Sequence, residues 1–333
     1  MNSKFEKWDE SGTLEFLQKV ADACVHCGKC RESCAFLDKY EMDLGDVSKL
    51  QEHVYGCFLC GNCDRVCPVG ISGRQLFQNL RRMQVRDGKL EEKPYSFVLK
   101  EKKDYKFRNY RNATAGRVLF PGCNFPSMFP KTNRKISDLC KAKGIGTVYD
   151  CCGKPIAELG LYRDEERIVN RICSELESRG IEEVITTCPN CYYFLKERIP
   201  QKVRSIYEVL PELVPEISVP KDIEIQIPCP DRTDREWYNG ICKLLGYEPS
   251  VTSAEQCCGL GGMASAEEPE LAKKFGGGLT SSGLRNTTFC ASCAGQYARN
   301  GKEIRHVLSL LLGMEEAPAT KTSYLNRVKT KYK

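Results

Sequence analysis

Cysteine spacing constrains this chain more than any other feature. Cys24-x2-Cys27-x2-Cys30-x3-Cys34 is followed by Cys57-x2-Cys60-x2-Cys63-x3-Cys67, with Pro68 after the last. The 333 residues hold 21 cysteines in all. A chain of this length buries enough apolar surface to fold without disulfide staples. The amino terminus, Met1 to Glu10, has no apolar stretch, which predicts no secretory signal. No run approaches the roughly 18 apolar residues of a membrane span, and Val307 to Leu312 is far shorter. A cytoplasmic location follows as an expectation, with any membrane association made through a partner. In that reducing compartment clustered cysteines are metal ligands rather than disulfides.

The spacing also selects the metal. Three cysteines two residues apart wrap one corner of a cubane, and the fourth comes from the other run, as in two-cluster ferredoxins. This predicts two [4Fe-4S] cubane clusters, one on Cys24, Cys27, Cys30 and Cys67, the other on Cys57, Cys60, Cys63 and Cys34. Structural zinc sites pair separated knuckles instead. Amphipathic helices are predicted before the first run, around Leu14, Leu17 and Val20, and after the second, over Ile71 to Val85.

The remaining chain repeats itself. Cys123, Cys151-Cys152-Gly153 and Cys188-Pro-Asn-Cys191 are matched by Cys229, Cys257-Cys258-Gly259 and Cys290-Ala-Ser-Cys293. Both copies begin Cys-x27-Cys-Cys-Gly, a repetition that argues for duplicated modules. Strands are predicted at 118–120, 147–149, 183–187, 223–227 and 287–289, each ending shortly before a cysteine. Helices are predicted at 133–143, 165–179, 267–275 and 303–312. Such alternation predicts parallel α/β layers, whose ligands gather beyond the carboxyl ends of the strands. Gly153, Gly259, Gly261 and Gly262 are expected to let the backbone approach a bulky inorganic group.

Five thiols per copy exceed what a cubane or tetrahedral zinc needs. The residues resemble the CCG-domain family of heterodisulfide reductase-type iron–sulfur proteins. The layout is similar to that family's fused form, in which a ferredoxin-like part is joined to a catalytic part with two Cys-Cys-Gly modules. The resemblance implies a noncubane [4Fe-4S] cluster in each module, one on Cys123, Cys151, Cys152, Cys188 and Cys191, the other on Cys229, Cys257, Cys258, Cys290 and Cys293. Some relatives keep an ordinary cluster or zinc in one module. The chain is thus expected to be an α+β multidomain protein. A mainly helical two-cluster ferredoxin domain with linker (1–110) precedes two pseudo-symmetric α/β CCG modules (111–220 and 221–333).

The resemblance implies an iron–sulfur oxidoreductase that takes electrons from a partner and reduces a small-molecule disulfide. Cys151, Cys152, Cys257 and Cys258 then hold the active clusters. The alternative is a non-catalytic electron-transfer subunit, similar to the iron–sulfur subunits of glycolate, lactate and glycerol-3-phosphate dehydrogenases, which feed quinone. No dinucleotide fingerprint follows a predicted strand, so a flavin belongs to the partner, either a flavoprotein or a membrane cytochrome. His26, His53 and His306 are too scattered for a triad, and Lys141 and Lys154 read as solvated lysines able to attract an anionic substrate.

The formal charge is +6, but metal-bound thiolates would lower it. The basic stretch 100–111 reads as a solvated linker, and with no groove-reading motif nearby a nucleic-acid partner is not expected. Cys140, Cys173 and Cys242 lie outside both patterns, beside apolar residues at helical spacing, and read as core.

Overall fold

A computed structural model describes residues 4, 7–252, 256–280 and 282–333. Residues 1–3, 5 and 6, part of the stretch from which the lack of a secretory signal is read, lie outside them. The amino-terminal part is helical. The helix Glu10–Ala23 starts at Asp9, whose carboxylate accepts the Gly12 N–H at 2.6 Å, and it buries Leu17 and Val20. The helix Gly73–Arg86 starts at Ser72, whose hydroxyl accepts from Gln75 at 3.2 Å. These side-chain caps satisfy amide donors that each helix start leaves free. Leu76, Phe77 and Leu80 face a core shared with Phe36, Leu37 and Leu50.

Two sheets follow. The first contains β1 (Asn109–Asn112), β2 (Gly116–Phe120), β3 (Gly146–Tyr149), β4 (Ile181–Thr186) and β5 (Lys202–Ser205), in the order β1-β3-β2-β4-β5. β2 to β5 are parallel, and β1 joins β3 antiparallel. The second contains β6 (Ile223–Gln226), β7 (Ser250–Val251), β8 (Arg285–Thr288) and β9 (Arg305–His306), all parallel, in the order β7-β6-β8-β9. Without β1, the two orders are the same permutation, so the repeat in sequence is a repeat in topology. The resulting chain is a mixed helix and sheet protein with an amino-terminal helical region and two α/β modules.

Three expectations are corrected. The stretch 100–111 is not a solvated linker: Glu101, Lys102, Tyr105, Phe107, Asn109 and Tyr110 are buried, and its end forms β1. The helix expected over 303–312 is only Val307–Leu311, because residues 305–306 pair with β8 and His306 Nδ1 accepts the Leu308 N–H at 3.2 Å. The glycines after the Cys-Cys pairs serve packing between protein segments. A Cβ on Gly262, at φ +64°, would stand 2.4 Å from the Cys57 carbonyl oxygen, and one on Gly261 would be 2.4 Å from that of Phe58.

The three parts are pinned together by Arg81, which is fully buried. The helix Ser323–Thr330 crosses back from the second module to the first. There Ser127 Oγ donates to the Ser323 carbonyl at 2.8 Å and Asn326 donates to that of Ser127 at 3.0 Å.

His306 supplies a pH test. It is buried between Phe125 and Phe129, with ring centroids 5.0 Å away, and burial pulls its pKa down to about 3. The folded ring stays neutral where the unfolded one takes up a proton. Its contribution is therefore complete above the unfolded value near 6.5 and is lost as pH falls towards about 3. Replacing it by Asn is expected to flatten the acid limb between pH 6 and 4 by about 1.4 kcal/mol per pH unit at most. Urea midpoints at several pH values would show this, and parallel acid limbs would refute it.

Candidate metal centres

In the helical part, Cys24, Cys27, Cys30 and Cys67 line one small cavity, with Asp43 and Ile71 beside them. Cys27 is exposed, Cys24 and Cys67 are half-buried and Cys30 is buried. The Ile71 N–H donates to Cys67 Sγ at 3.2 Å, and burial pushes the Cys24 and Cys30 thiols up. His26, at φ 47°, leaves this cavity for solvent and meets Asp43 at 2.8 Å. Cys34, Cys57, Cys60 and Cys63 form a second, buried group close enough for their charges to interact. Burial pushes Cys34 up to about 11 and lifts Cys57 and Cys63 as well.

Each module gathers its five cysteines from the carboxyl ends of its strands. In the first, Cys151 neighbours both Cys123 and Cys152, and Cys191 neighbours both Cys152 and Cys188, so the five thiols converge. In the second, Cys257 neighbours Cys229, and Cys293 neighbours Cys258 and Cys290. Cys257 also packs with Cys60 of the helical part, and this neighbour holds the Cys60 thiol below its usual value.

The modules face each other through their Cys-x2-Cys turns. Asn190, inside Cys188–Cys191, donates to Cys290 Sγ at 3.6 Å, and Asn124 donates to Ser292, inside Cys290–Cys293, at 2.7 Å. Asn190 and Ser292 hold equivalent positions in the two copies, so each copy contributes its Cys-x2-Cys turn to the contact.

These donor sets suit iron–sulfur clusters. Thiols converge in groups of four and five, most of them buried, with N–H groups aimed at sulfur, as at Leu59 to Cys57 (3.4 Å) and Gly259 to Cys257 (3.3 Å). The Tyr297 hydroxyl is buried near the Cys258 and Cys293 thiols and has no hydrogen-bond partner among the described residues. Family models agree: a 4Fe-4S dicluster domain matches residues 19–71, and a cysteine-rich domain, CCG, matches 118–196 and 231–281.

The chain is built of a 4Fe-4S dicluster domain and cysteine-rich CCG domains. Relatives include one of the subunits of the fumarate reductase (CoM/CoB) from Methanothermobacter marburgensis, 24% identical over 78% of this chain and 62% of the relative. One of the subunits of the dihydromethanophenazine:CoB–CoM heterodisulfide reductase of Methanosarcina barkeri is 22% identical over 77% of the chain and 81% of the relative. The glycolate oxidase iron-sulfur subunit of Escherichia coli is 23% identical over 77% and 83%. The chain thus spans less than two thirds of the first of these. No solved structure matches it. Among the described residues no helix is long and apolar enough to cross a membrane.

Sequence reasoning did not find the buried cations around the CCG cysteines. Beside Cys123 and Cys151 lies Lys102, 7% exposed, its Nζ 2.6 Å from Glu101 Oε1 and 4.6 Å from the Tyr105 ring centroid. Burial pulls the Lys102 ammonium down, but the charge of Cys123 and Cys151 outweighs this and keeps it above its usual value. Arg327, from the last helix, reaches the same Glu101 at 3.4 Å. In the second CCG domain Arg232 lies 3.9 Å from Cys229 Sγ and donates to the Cys60 carbonyl at 3.3 Å. Arg74 donates to the carbonyls of both Cys60 and Cys229. Only the spacing of Arg232, three residues after Cys229, hints at any of this in the sequence.

The remaining candidates are structural. Cys140 and Cys173, both in the first module, are buried in two apolar clusters, and Cys242 packs against the one that holds Cys140. Lys154 is paired with Glu158, and His53 stacks on Tyr40 with centroids 3.8 Å apart.

Proposed function

We propose that the chain is an iron–sulfur oxidoreductase subunit that carries electrons from a redox partner to a small-molecule disulfide, in the manner of heterodisulfide reductase. In this reading Cys24, Cys27, Cys30 and Cys67 hold one cubane cluster, and Cys34, Cys57, Cys60 and Cys63 hold another. The five cysteines of each CCG module hold a noncubane cluster, with Cys151, Cys152, Cys257 and Cys258 at the reacting sites. When bound, such clusters supply one-electron transfer and iron positions that accept sulfur. The face-to-face approach of the modules, through Asn190 to Cys290 and Asn124 to Ser292, carries the reading, because it brings two five-thiol sets to one seam.

The chain's own residues supply the rest. Buried thiols release protons on loading, while Lys102, Arg327, Arg232 and Arg74 offset the negative charge that results. Packing around the module cysteines excludes water, and the Cys60 to Cys257 contact joins the dicluster domain to the second module. The donor is a flavoprotein or a membrane cytochrome on another chain. Reoxidation of reduced viologen by the loaded chain is expected to depend on added disulfide. A background rate over a panel of disulfides, with all clusters intact, would sink this reading.

The likeness to the glycolate oxidase iron-sulfur subunit favours a second reading, that of an electron-transfer subunit feeding quinone. Viologen oxidation by a quinone analogue and not by disulfides would select it.

A further inference from the structure

Gln256 stands immediately before Cys257, yet its side chain serves the dicluster domain. Its Nε2 donates to Cys34 Sγ at 3.4 Å and to Cys60 Sγ at 3.6 Å, while its Oε1 accepts the Ala35 N–H at 3.0 Å. The residue is buried, and its own carbonyl accepts from Arg232 at 2.6 Å. One side chain thus touches two of the four thiols in one group, and its backbone continues directly into a thiol of another.

The nearest parallel is Asn190, which precedes Cys191 and donates to Cys290 Sγ at 3.6 Å, but it touches one thiol rather than two. Among the described residues no side-chain amide donates to Cys24, Cys27, Cys30 or Cys67. In the first CCG module the position before Cys151 is Asp150, which pairs with Arg171 at 2.5 Å and Tyr110 at 3.0 Å inside its own module. The repeat has therefore diverged at this position, and only the second copy reaches across.

An amide N–H directed at a ligand sulfur favours the more negative, reduced state and so raises a cluster's potential. We propose that Gln256 is the positioning residue that sets the potential of the group Cys34, Cys57, Cys60 and Cys63, and that it couples this group to the second CCG module. Any displacement of the Cys257 loop moves the amide that Cys34 and Cys60 feel, and such coupling is reciprocal. The inference rests on the ligand reading above.

The test is a redox titration of the full, iron-loaded chain followed by electron paramagnetic resonance. Cys27→Ser identifies the signal of the other dicluster group. Gln256→Met removes both donors, and Gln256→Glu keeps the acceptor for Ala35 while adding negative charge. Both are expected to keep full iron and to move the second dicluster signal to more negative potential, Glu further than Met, with the first signal unmoved. Cys293→Ser, on the far side of the second module, is expected to shift that same signal in the native background and less beside Gln256→Met. Titrations that superimpose at full iron content would overturn the inference and leave the ligand reading standing. Loss of that group's iron in both variants would make Gln256 structural and overturn the tuning role. A native chain with no second dicluster signal would overturn the ligand reading and the inference together.

Discussion

Arg81→Leu is expected to destabilise the chain by about 4 kcal/mol or more, enough to lower its urea midpoint sharply. Arg81 Nε donates to the Val54 carbonyl at 3.1 Å, Nη2 to Cys57 at 2.7 Å, and Nη1 to both Glu158 and Gly262 at 2.7 Å. Two of these carbonyls belong to the dicluster domain and one to each CCG module. Leucine would leave all four buried without a donor, and an unsatisfied buried carbonyl costs roughly 1–3 kcal/mol before relaxation. Relaxation is limited, because the backbone is close-packed there: a Cβ on Gly160, at φ +81°, would lie 2.5 Å from the Arg81 carbonyl carbon. Arg81→Lys is expected to recover only part of the loss, since an ammonium lacks the planar fork that addresses separated acceptors. Unfolding followed by tryptophan fluorescence and by proteolysis would measure it, and an unchanged midpoint would refute the account.

The second large effect concerns metal content. On the four-cluster reading proposed above, Cys151→Ser combined with Cys152→Ser is expected to lower iron and acid-labile sulfide by about a quarter. The two thiols stand between Cys123 and the pair Cys188 and Cys191, so their loss separates these flanking thiols. The other groups keep all their thiols, and the second module's set draws on different strands. Cys257→Ser is expected to behave differently, because Cys257 touches Cys60: it should disturb a dicluster signal as well as its own module. Iron and sulfide analysis with spectroscopy of each variant would check both results. Complete iron loss in the first variant would show that the centres do not assemble separately.

The central strands that place the cysteines were legible from their apolar residues, continuous in one copy and alternating in the other. Val118 to Phe120 and Ile223 to Ile227 read as strands in the sequence, and β2 and β6 occupy them. The edge strands were not. β1 (Asn-Tyr-Arg-Asn) and β5 (Lys-Val-Arg-Ser) are polar, β7 has two residues, and β9 sits at the start of a helix-like run. Their pairing is decided by neighbours distant in the chain. The buried cations were hidden for a related reason. Lys102 is stabilised by Glu101 and by cysteines that fold beside it, and Arg81 by backbone carbonyls, which no side-chain pattern displays. The dicluster grouping was expected from spacing and the CCG groupings from the resemblance, whereas the contact between Cys60 and Cys257 depends on how the domains pack.

The helix Ser323–Thr330 has a consequence for synthesis. Asn109 of β1 donates to the Thr330 carbonyl at 3.0 Å, and Arg327 reaches Glu101 beside the first module's cysteines. The first module therefore lacks part of its wall until residues translated about two hundred positions later have left the ribosome. Cys123 and Cys151 lie beside Val328 of that helix, so this side of the first module's thiol group is covered last and is most accessible before the helix docks.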